Sequence, residues 1–563
     1  MNCRFAFDIQ LRLLIRLSLD KSKMSEKSVL RSSAIMALGT IVSRVTGLAR
    51  SLLLVAALGT AILGDTFAVA NTVPTVVYIL VAGGALNAVF VPQIVREMKS
   101  KDGGNSYVSQ LATATFTLLG IATLVGVIAA PLVVRLYAAK FGGSGLENEF
   151  ELTVLFTRYC LPQILFLGLF TLLGQIANAR GSFGPMMWAP VLNNIIVIGV
   201  LIGFMAVAPD AADGVISSSA KMLLGLGTTL GAIAQAAILI PVVAKTGVKL
   251  RPNFHWSSLG KSAHLAKWTM IFVLINQIGF IVIVNLATAA SVRAKNSGID
   301  VGVGFTPYQN AHFIFLLPHS IIAVSFVTAL LPRISRFAAE SRITEVRDDI
   351  EQTLLHLYSL IIPSAFAFLF LGSPIAHFIF AGSRTQDASQ IGLILSGFAL
   401  GLIPFCSSYV MLRGFYAFED TKTPAGITMV MNIVTISCAI LGYFLLPIRL
   451  ITVGIAVSFG IGYLASSLWA RHLLTKRIGS LSLKKDVITI AVISAIAFAP
   501  SLLVAPVLEN LLNIESPNLL TSLVTLAVSG AIALPIYFGL GNRLGVAPIV
   551  FASDFIKKRI AKR

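Results

Sequence analysis

The feature that most constrains this chain is a succession of apolar runs, each long enough to cross a lipid bilayer as a helix. About 20 helical residues are needed to span roughly 30 Å of hydrocarbon. Of the 563 residues, 56% are hydrophobic and 12% are charged, and the mean hydropathy of +0.87 is far above that of a water-soluble protein. The runs lack the short alternation of barrel strands. The sequence therefore predicts an all-helical integral membrane protein.

About fourteen such runs are separated by charged or turn residues. With the N-terminus placed inside, most of the 43 Lys and Arg residues lie in inside loops and tails, as the positive-inside rule requires. This topology accounts for the net charge of +19 without nucleic acid, and it places both termini in the cytoplasm. The predicted spans lie near 33–58, 66–92, 108–137, 152–177, 185–208, 221–244, 263–290, 306–332, 353–380, 388–412, 425–447, 450–470, 487–508 and 519–541.

An internal duplication is visible in two independent matches. Pro332 of "LLPRIS" follows Pro92 of "FVPQIV" by 240 residues, and Pro424 before the eleventh span follows Pro185 before the fifth by 239. Six spans lie in each copy, so both copies enter the membrane in the same orientation. In transporters built from such repeats, the substrate sits near mid-membrane at the repeat interface.

The duplication predicts two parallel six-helix lobes, followed by two spans that stand outside it and form an appendage, interpreted as a groove for something hydrophobic. The first 23 residues are basic and lack the cleavage site of a signal peptide, so we interpret Met24 as the initiator. The predicted parts are an N-terminal extension at 1–32, an N-lobe at 33–245, a cytoplasmic linker at 246–262, a C-lobe at 263–475, and two further spans with a basic tail at 476–563.

Ionisable residues inside the spans are the first candidates for function, because each costs roughly 2.5 to 3.5 kcal/mol at the centre of a membrane helix. Arg44 and Arg50 lie deep in the first span, and Asp65 at the edge of the second is the one carboxylate near them. Arginine grips phosphate oxygens in pairs and stays charged. We expect a visiting anion as partner; the structural alternative is bonding to carbonyls at neighbouring helix ends.

Other polar positions carry two interpretations each. Asp65 is either a helix-start acid favoured by the dipole or a gate or ion partner for the arginines. The Tyr78 hydroxyl either faces a cavity, or the side chain simply packs against its neighbours. His312 and His319 share a helical face and either meet substrate or line a cavity wall.

The sequence lacks the motifs of several other functions. It contains no CxxC, Walker loop, HExxH or embedded acid pair. We expect neither metal nor cofactor, and energy from the membrane potential, a monovalent cation gradient or substrate turnover. The cysteines, interpreted as small apolar fillers, are Cys3, Cys160, Cys406 and Cys438.

Five segments resemble the MurJ (MviN) lipid II flippases of the multidrug/oligosaccharidyl-lipid/polysaccharide exporter superfamily, from about residue 32 to the end. The resemblance implies two six-helix lobes in a V, with two extra helices forming a groove for a lipid tail. It also implies lipid II as substrate, an undecaprenyl diphosphate carrying a disaccharide-peptide, moved to the outer face of a bacterial cytoplasmic membrane. The segments are "SRVTGLAR", "GGALNAVFVPQIVREMKS", "FGPMMWAPVLNNI", "LPHSIIAVSFVTALLPRIS" and "RGFYAFEDTKTP".

The resemblance assigns roles to four residues. The family's Ser-Arg pair falls on Ser43 and Arg44, its second arginine on Arg50, and its acid at the start of span two on Asp65. Arg44 and Arg50 are thus the expected diphosphate ligands. Partners are expected to be lipid II, membrane lipids and cell-wall synthesis proteins.

Three positions depart from the family pattern. Ser51 stands where many members have Asp, and Tyr78 and the neighbourhood of His312 stand where they have arginines. The expected cavity is therefore less cationic, and Tyr78 and His312 remain candidates for substrate contact.

Several rival functions remain open. A related exporter could move another polyprenyl-linked glycan, and a drug or metabolite antiporter would favour a buried acid over bases. A membrane-embedded glycosyltransferase or phosphatase would need clustered acids or histidines. A non-transporting cell-wall scaffold would tolerate neutral residues at positions 44 and 50.

Overall fold

The computed structural model describes residues 26–80, 94, 96–97, 102–209, 211, 216–254, 267–299, 302–512 and 517–560. All regular secondary structure in these residues is helical, which confirms the predicted class. The N-terminal part comprises α1 (Glu26–Leu58), α2 (Ile62–Tyr78), α3 (Asn105–Ile128), α4 (Ala130–Tyr137), α5 (Glu147–Cys160), α6 (Gln163–Ala179), α7 (Gly184–Val207), α8 (Ser218–Ala237) and α9 (Leu239–Lys245).

The remaining described helices belong to the second repeat and the C-terminal region. The eighth predicted span is split by a π-helical turn at His319–Ala323. The helices are α10 (Lys267–Asn296), α11 (Phe305–Pro318), α12 (Val324–Ala339), α13 (Ile343–Ile379), α14 (Thr385–Ala399), α15 (Leu402–Ala417), α16 (Lys422–Leu445), α17 (Ile451–Ile478), α18 (Lys484–Phe498), α19 (Ser501–Leu512), α20 (Leu519–Arg543) and α21 (Ala547–Ile560).

The number of membrane spans agrees closely with the predicted number. Within the described residues, twelve helical stretches are long and apolar enough to cross a membrane, and α14 with α15 adds a thirteenth if this pair, bent by 50°, is one span. α2 has 17 residues, and the rest of the predicted second span lies largely outside the described residues. Met24 and most of the predicted extension at 1–32 also lie outside them, although α1 begins inside that range.

The chain divides into two compact units. The second unit contains two short pieces of the first repeat in addition to the second repeat and the C-terminal spans. The lobe boundaries predicted from the sequence stay a prediction. The first unit takes in residues up to 53, 70–130 and 155–270, and the second takes in 54–69, 131–154 and 271 onwards.

Close helix contacts in the first unit depend on small residues. α7 packs along α8, and α6 lies against both α3 and α8. A Cβ added at Gly227 of α8 would lie 2.6 Å from a methyl of Val200, and one at Gly225 would lie 2.7 Å from the Tyr159 ring. Without a hydrophobic driving force in lipid, such close van der Waals contact is what holds membrane helices together.

The second unit follows the same principle. α16 packs along α17, and α13 along α14. At the bend between α14 and α15, a Cβ on Gly401 would lie 2.7 Å from the Cα of Gly460 in α17. The C-terminal helices α18 and α20 pack against α13, where the Tyr537 hydroxyl donates to the carbonyl of Ser359 at 2.6 Å.

The helix ends repeat as the sequence duplication predicts. α6 closes with a bond from the Ser182 N–H to the Ala177 carbonyl (2.8 Å), and α15 closes with one from Asp420 to Phe415 (3.0 Å). Both pairs are 238 residues apart. The helices that follow, α7 and α16, each have 24 residues. The two copies therefore share local structure as well as sequence.

Candidate substrate-binding site

The first span is held in place by hydrogen bonds from α7. Asn194 donates to the backbone carbonyl of Ser43 (3.1 Å) and to the Thr46 hydroxyl (3.0 Å). Further toward the N-terminus of α1, the Trp188 indole donates to the carbonyl of Ile35 at 3.2 Å. These bonds fix the rotation of α1 within the first unit. The Ser43 hydroxyl itself forms no bond to a described residue.

Neither arginine of this span is neutralised by the described part of the protein. Arg44 is exposed and Arg50 is partly buried. Neither guanidinium forms a hydrogen bond or ion pair with a described residue, although Arg50 lies near enough to the buried Cys160 to interact with it electrostatically. The expected alternative, bonding to carbonyls of neighbouring helices, is therefore not observed among these residues.

The two arginines point in different directions. Arg50 lies four residues after Thr46 and shares its face toward α7, whereas Arg44 lies two residues before Thr46 and on roughly the opposite side. On a regular helix the two arginines are about 120° apart around the axis and about 9 Å apart along it. The two guanidinium groups are therefore not placed to bind the same pair of oxygen atoms, and each would contact a different part of an anionic ligand.

Tyr78 is engaged within the first unit. Its hydroxyl, at the end of α2, donates to the Thr171 hydroxyl of α6 at 2.8 Å, and Thr171 donates to the carbonyl of Leu167 at 3.0 Å. The phenol therefore already has a protein partner. This bond ties the end of α2 to α6.

Asp65 binds the beginning of another helix. It lies in the first turn of α2 and is buried, yet its carboxylate accepts hydrogen bonds from the N–H groups of Phe305 (2.9 Å) and Thr306 (2.7 Å) in the first turn of α11. A Cβ added at Gly304 would collide with this carboxylate. Unpaired N–H groups and the helix dipole make a helix N-terminus a good site for a negative charge. No cation among the described residues pairs with Asp65.

A second contact of the α1–α2 turn region with a helix start was not predicted from the sequence. Thr60, in the turn between α1 and α2, donates its hydroxyl to buried Asp387 at 2.5 Å, and Arg384 donates to the other oxygen of Asp387 at 3.3 Å. Asp387 is in the first turn of α14. The sequence does show Asp387 near the start of a helix, which marks it as a candidate. Nothing in the neighbouring sequence indicates that it contacts a turn 327 residues earlier.

His312 lies in an aromatic cluster of the second unit. Its ring stacks against Tyr308 with centroids 6.1 Å apart, and it lies 5.4 Å from both Phe398 and Phe459. Neither ring nitrogen forms a hydrogen bond with a described residue. His319 lies seven residues later, at the start of the π-helical turn. It is buried, and its ring centroid is 4.3 Å from that of Phe405.

No group of His, Cys, Asp or Glu that could hold a metal occurs among the described residues. The chemistry at hand is therefore that of isolated cations in a membrane helix and of carboxylates on helix N-termini. Such an arrangement suits binding and release of an anion.

Comparison with known proteins assigns the family. The model of the family described as "Lipid II flippase MurJ" matches residues 54–521. The lipid II flippase MurJ of Burkholderia cenocepacia is 28% identical over 435 residues, covering 76% of this chain and 80% of that protein. A probable lipid II flippase MurJ of Vibrio cholerae is 27% identical over 424 residues, covering 72% and 77%.

This chain belongs to the MurJ family. It is therefore a multi-pass membrane transporter and not an enzyme. A solved structure described as "Lipid II flippase MurJ, inward closed conformation" has a TM-score of 0.69 at 20% identity, covering 91% of this chain and 99% of that one. An inward-facing MATE family multidrug transporter has a TM-score of 0.60 at 14% identity and covers 79% of this chain and 98% of that one. At these identities the two structures show a shared fold alone.

The MurJ match begins at residue 54, so it includes Asp65 and His312 but not Arg44 or Arg50. The roles of the two first-span arginines therefore depend on their own surroundings and on the sequence motif around them. Arg413 of α15, which the sequence reasoning did not weigh as a cation, lies within the match.

Proposed function

We propose that this chain moves lipid II from the inner to the outer face of a bacterial cytoplasmic membrane, with both termini in the cytoplasm. The MurJ family match, the lipid II flippase names of its relatives and the apolar spans support this proposal. Lipid II joins a diphosphate to a long apolar chain. Its transport requires cationic groups inside the membrane and no catalytic residues.

The observation that carries the proposal is the pair of membrane-embedded arginines for which no described residue provides a counter-charge. Each arginine costs roughly 2.5 to 3.5 kcal/mol in a membrane helix, and the described protein does not offset this cost with a carboxylate. A diphosphate presents several oxygens, which suits two guanidinium groups that point in different directions. In this proposal Arg50 provides the partly buried contact and Arg44 the exposed one, with the Ser43 hydroxyl beside Arg44.

Alternating access is the second part of the proposal. The bonds of Asp65 to α11 and of Thr60 to Asp387 join the α1–α2 turn region to the starts of two helices of the second repeat. Exchanging a hydrogen bond to a charged carboxylate for one to water has a net cost of about 1.5 to 3 kcal/mol. We propose that they close one side of the transporter and break when that side opens.

The test is complementation of a strain depleted of its own lipid II flippase. We expect Arg44→Ala and Arg50→Ala to reach the membrane at wild-type levels and to lower flipping at least about tenfold, because each loses charge-assisted bonds worth roughly 1.5 to 3 kcal/mol. Flipping would be measured by the accessibility of labelled lipid II at the outer face. Arg336→Ala is the matched control, since Arg336 is exposed and near Glu340.

The outcomes separate the rival functions. Full activity of both single variants would exclude the diphosphate role. Failure of the wild-type chain to complement, together with specific binding of a different polyprenyl-linked glycan, would favour the related exporter. If the variants of both arginines complement the strain although no lipid II movement is measured, a scaffold would be favoured.

A further inference from the structure

An arginine of the second unit, Arg413 in α15, also lacks a hydrogen-bond or ion-pair partner among the described residues. The guanidinium of Arg413 lies over the Tyr409 ring at 4.5 Å and the Tyr416 ring at 5.4 Å. Positions four before and three after share one helical face, so the two rings hold the guanidinium between them. Cation–π contacts of this kind orient an arginine without using its N–H groups.

The polar atoms around Arg413 are donors for which the described part of the chain provides no acceptor. Its Nε is buried without a hydrogen-bond partner. The described residues provide no hydrogen-bond partner for the remaining guanidinium nitrogens or for the hydroxyls of Tyr409 and Tyr416. A buried donor left unpaired costs about 1 to 3 kcal/mol. Arg413 and the two tyrosines together have up to five N–H and two O–H donors, and a bound oxyanion would provide acceptors for them.

The surroundings of Tyr409 add a second, independent feature. The buried His319 packs edge-on against the Tyr409 ring with centroids 4.8 Å apart, and its Nδ1 is 3.5 Å from the Cys406 sulfur. His319 begins the π-helical turn that interrupts the eighth span, and such turns occur frequently at functional sites. Arg413 is near enough to His319 for their charges to interact.

The duplication does not explain this cation. By the 238-residue offset that relates the ends of α6 and α15, the position equivalent to Arg413 in the first repeat is Gln175. The candidate cations of the first repeat, Arg44 and Arg50, lie on α1 instead. The cation at the position of Arg413 is therefore present in one repeat alone.

We propose that Arg413, held between Tyr409 and Tyr416, is a further anion-binding position that takes a phosphate or carboxylate group. The proposed function supplies one source of this chemistry, the head group of lipid II. The other source is the phosphate of an anionic phospholipid. The inference depends on the proposed function only for the choice between these two sources.

The experiment uses the purified full chain in nanodiscs of phosphatidylcholine and measures binding of lipid II, phosphatidylglycerol and inorganic diphosphate. The variants are Arg413→Gln, Arg413→Lys and the double variant Tyr409→Phe with Tyr416→Phe. Arg471→Gln is the matched control, because it removes the same charge from neighbouring α17, where the Arg471 guanidinium already donates to the carbonyl of Leu481 at 3.0 Å.

We expect Arg413→Gln to weaken lipid II binding about tenfold or more, because charge-assisted bonds are lost. Arg413→Lys should weaken it less, and the double tyrosine variant about twofold to fivefold from the loss of two neutral donors. The control should bind as the wild type does. If Arg413→Gln fails to fold, the same binding measurements on Arg413→Lys and on the double tyrosine variant test the proposal.

The three ligands distinguish the outcomes. A loss confined to lipid II assigns the site to the substrate, and an equal loss for phosphatidylglycerol assigns it to membrane lipid. Unchanged binding of all three ligands by the Arg413 variants, while Arg50→Gln weakens lipid II binding, overturns the inference and leaves the proposed function intact. Absence of lipid II binding by the wild type contradicts the proposed function. In that case, the effect of the Arg413 variants on binding of phosphatidylglycerol and diphosphate tests whether Arg413 binds anions.

Discussion

A single turn position shows how residue choice differs between the two repeats. The left-handed residue after α6 is Gly181 (φ +84°), and the one after α15 is Glu419 (φ +59°). An L-residue with a Cβ is strained there by roughly 1 to 2 kcal/mol, whereas glycine is not. The second repeat therefore forms the same turn at a higher conformational cost.

The residue after Glu419 offsets part of that cost. Asp420 accepts bonds from the N–H and hydroxyl of Thr423, at 2.9 and 2.8 Å, and from Arg477 at 3.3 Å. Partial burial acts to raise the pKa of Asp420, but these bonds outweigh it and hold the pKa below its ordinary value. The carboxylate thus fastens the turn to the start of α16 and the end of α17.

We predict that Glu419→Gly stabilises the protein by about 0.5 to 1 kcal/mol, because the relief of left-handed strain exceeds the entropy lost with glycine. Gly181→Ala should destabilise it by about 1 kcal/mol for the converse reason. Thermal unfolding of the purified protein measures both. Glu340→Gly is the control, since Glu340 has φ −85° and no left-handed strain to relieve, so it gains flexibility and loses its exposed ion pairs with Arg336 and Arg342. A lower melting temperature for Glu419→Gly would contradict the strain argument.

At the scale of elements, two carboxylates lie at helix N-termini in the second unit. Asp65 caps α11, whereas Asp387 lies in the first turn of α14 and accepts from the Thr60 hydroxyl. Gly302 is close to the same turn, so that an added Cβ would collide with Thr60. Both contacts join the α1–α2 turn region to the second repeat.

This proximity allows a direct test of whether the contact must open. In a variant free of the native cysteines, we predict that Thr60→Cys combined with Asp387→Cys forms a disulfide on oxidation, because the Thr60 hydroxyl lies 2.5 Å from a carboxylate oxygen of Asp387 and the two side chains are within reach of each other. Oxidation should abolish flipping, and a reducing agent should restore it. The two single variants are the controls for any effect of the substitutions themselves.

Transport by the oxidised double variant at the wild-type rate, with the disulfide verified by mass spectrometry, would mean that this contact stays closed throughout the cycle. The site formed by Arg44 and Arg50 would then need another route of access.

At the scale of the whole molecule, the charge of the proposed cargo connects transport to the membrane potential. A diphosphate head group is anionic, and an interior-negative potential favours its outward movement by about 2.3 kcal/mol per elementary charge per 100 mV. We propose the potential as the energy source, with a monovalent cation gradient as the alternative.

In proteoliposomes of purified protein, we predict that an imposed interior-negative potential accelerates the outward movement of labelled lipid II and that an interior-positive potential slows it. A sodium gradient of equal energy, applied without a potential, is the comparison. A response to the sodium gradient alone would assign the coupling to the cation.

Much of this architecture was predictable because it depends on local sequence. Hydropathy over about 20 residues determines where spans lie, and self-similarity at one offset revealed the duplication. The two first-span arginines were identified because a charge in an apolar run is conspicuous without any knowledge of its neighbours.

Other features depend on residues that meet only after folding. The sequence located Asp65 at a helix start but could not show that its carboxylate caps α11, some 240 residues later. It left Tyr78 between two interpretations and could not show that its hydroxyl bonds to Thr171, 93 residues later. The exposure of Arg44 and the partial burial of Arg50 follow once α7 fixes the rotation of α1.

The sequence alone determined that this protein is an all-helical, duplicated membrane protein with two cations in an apolar helix, because hydropathy, repeat offset and charge are properties of the chain read in order. Only the tertiary structure decided which donors each carboxylate binds and that Arg413 lies between two tyrosines with no acceptor among the described residues. Hydrogen bonds require atoms within about 3 Å of each other, and the separation along the chain carries no information about that distance.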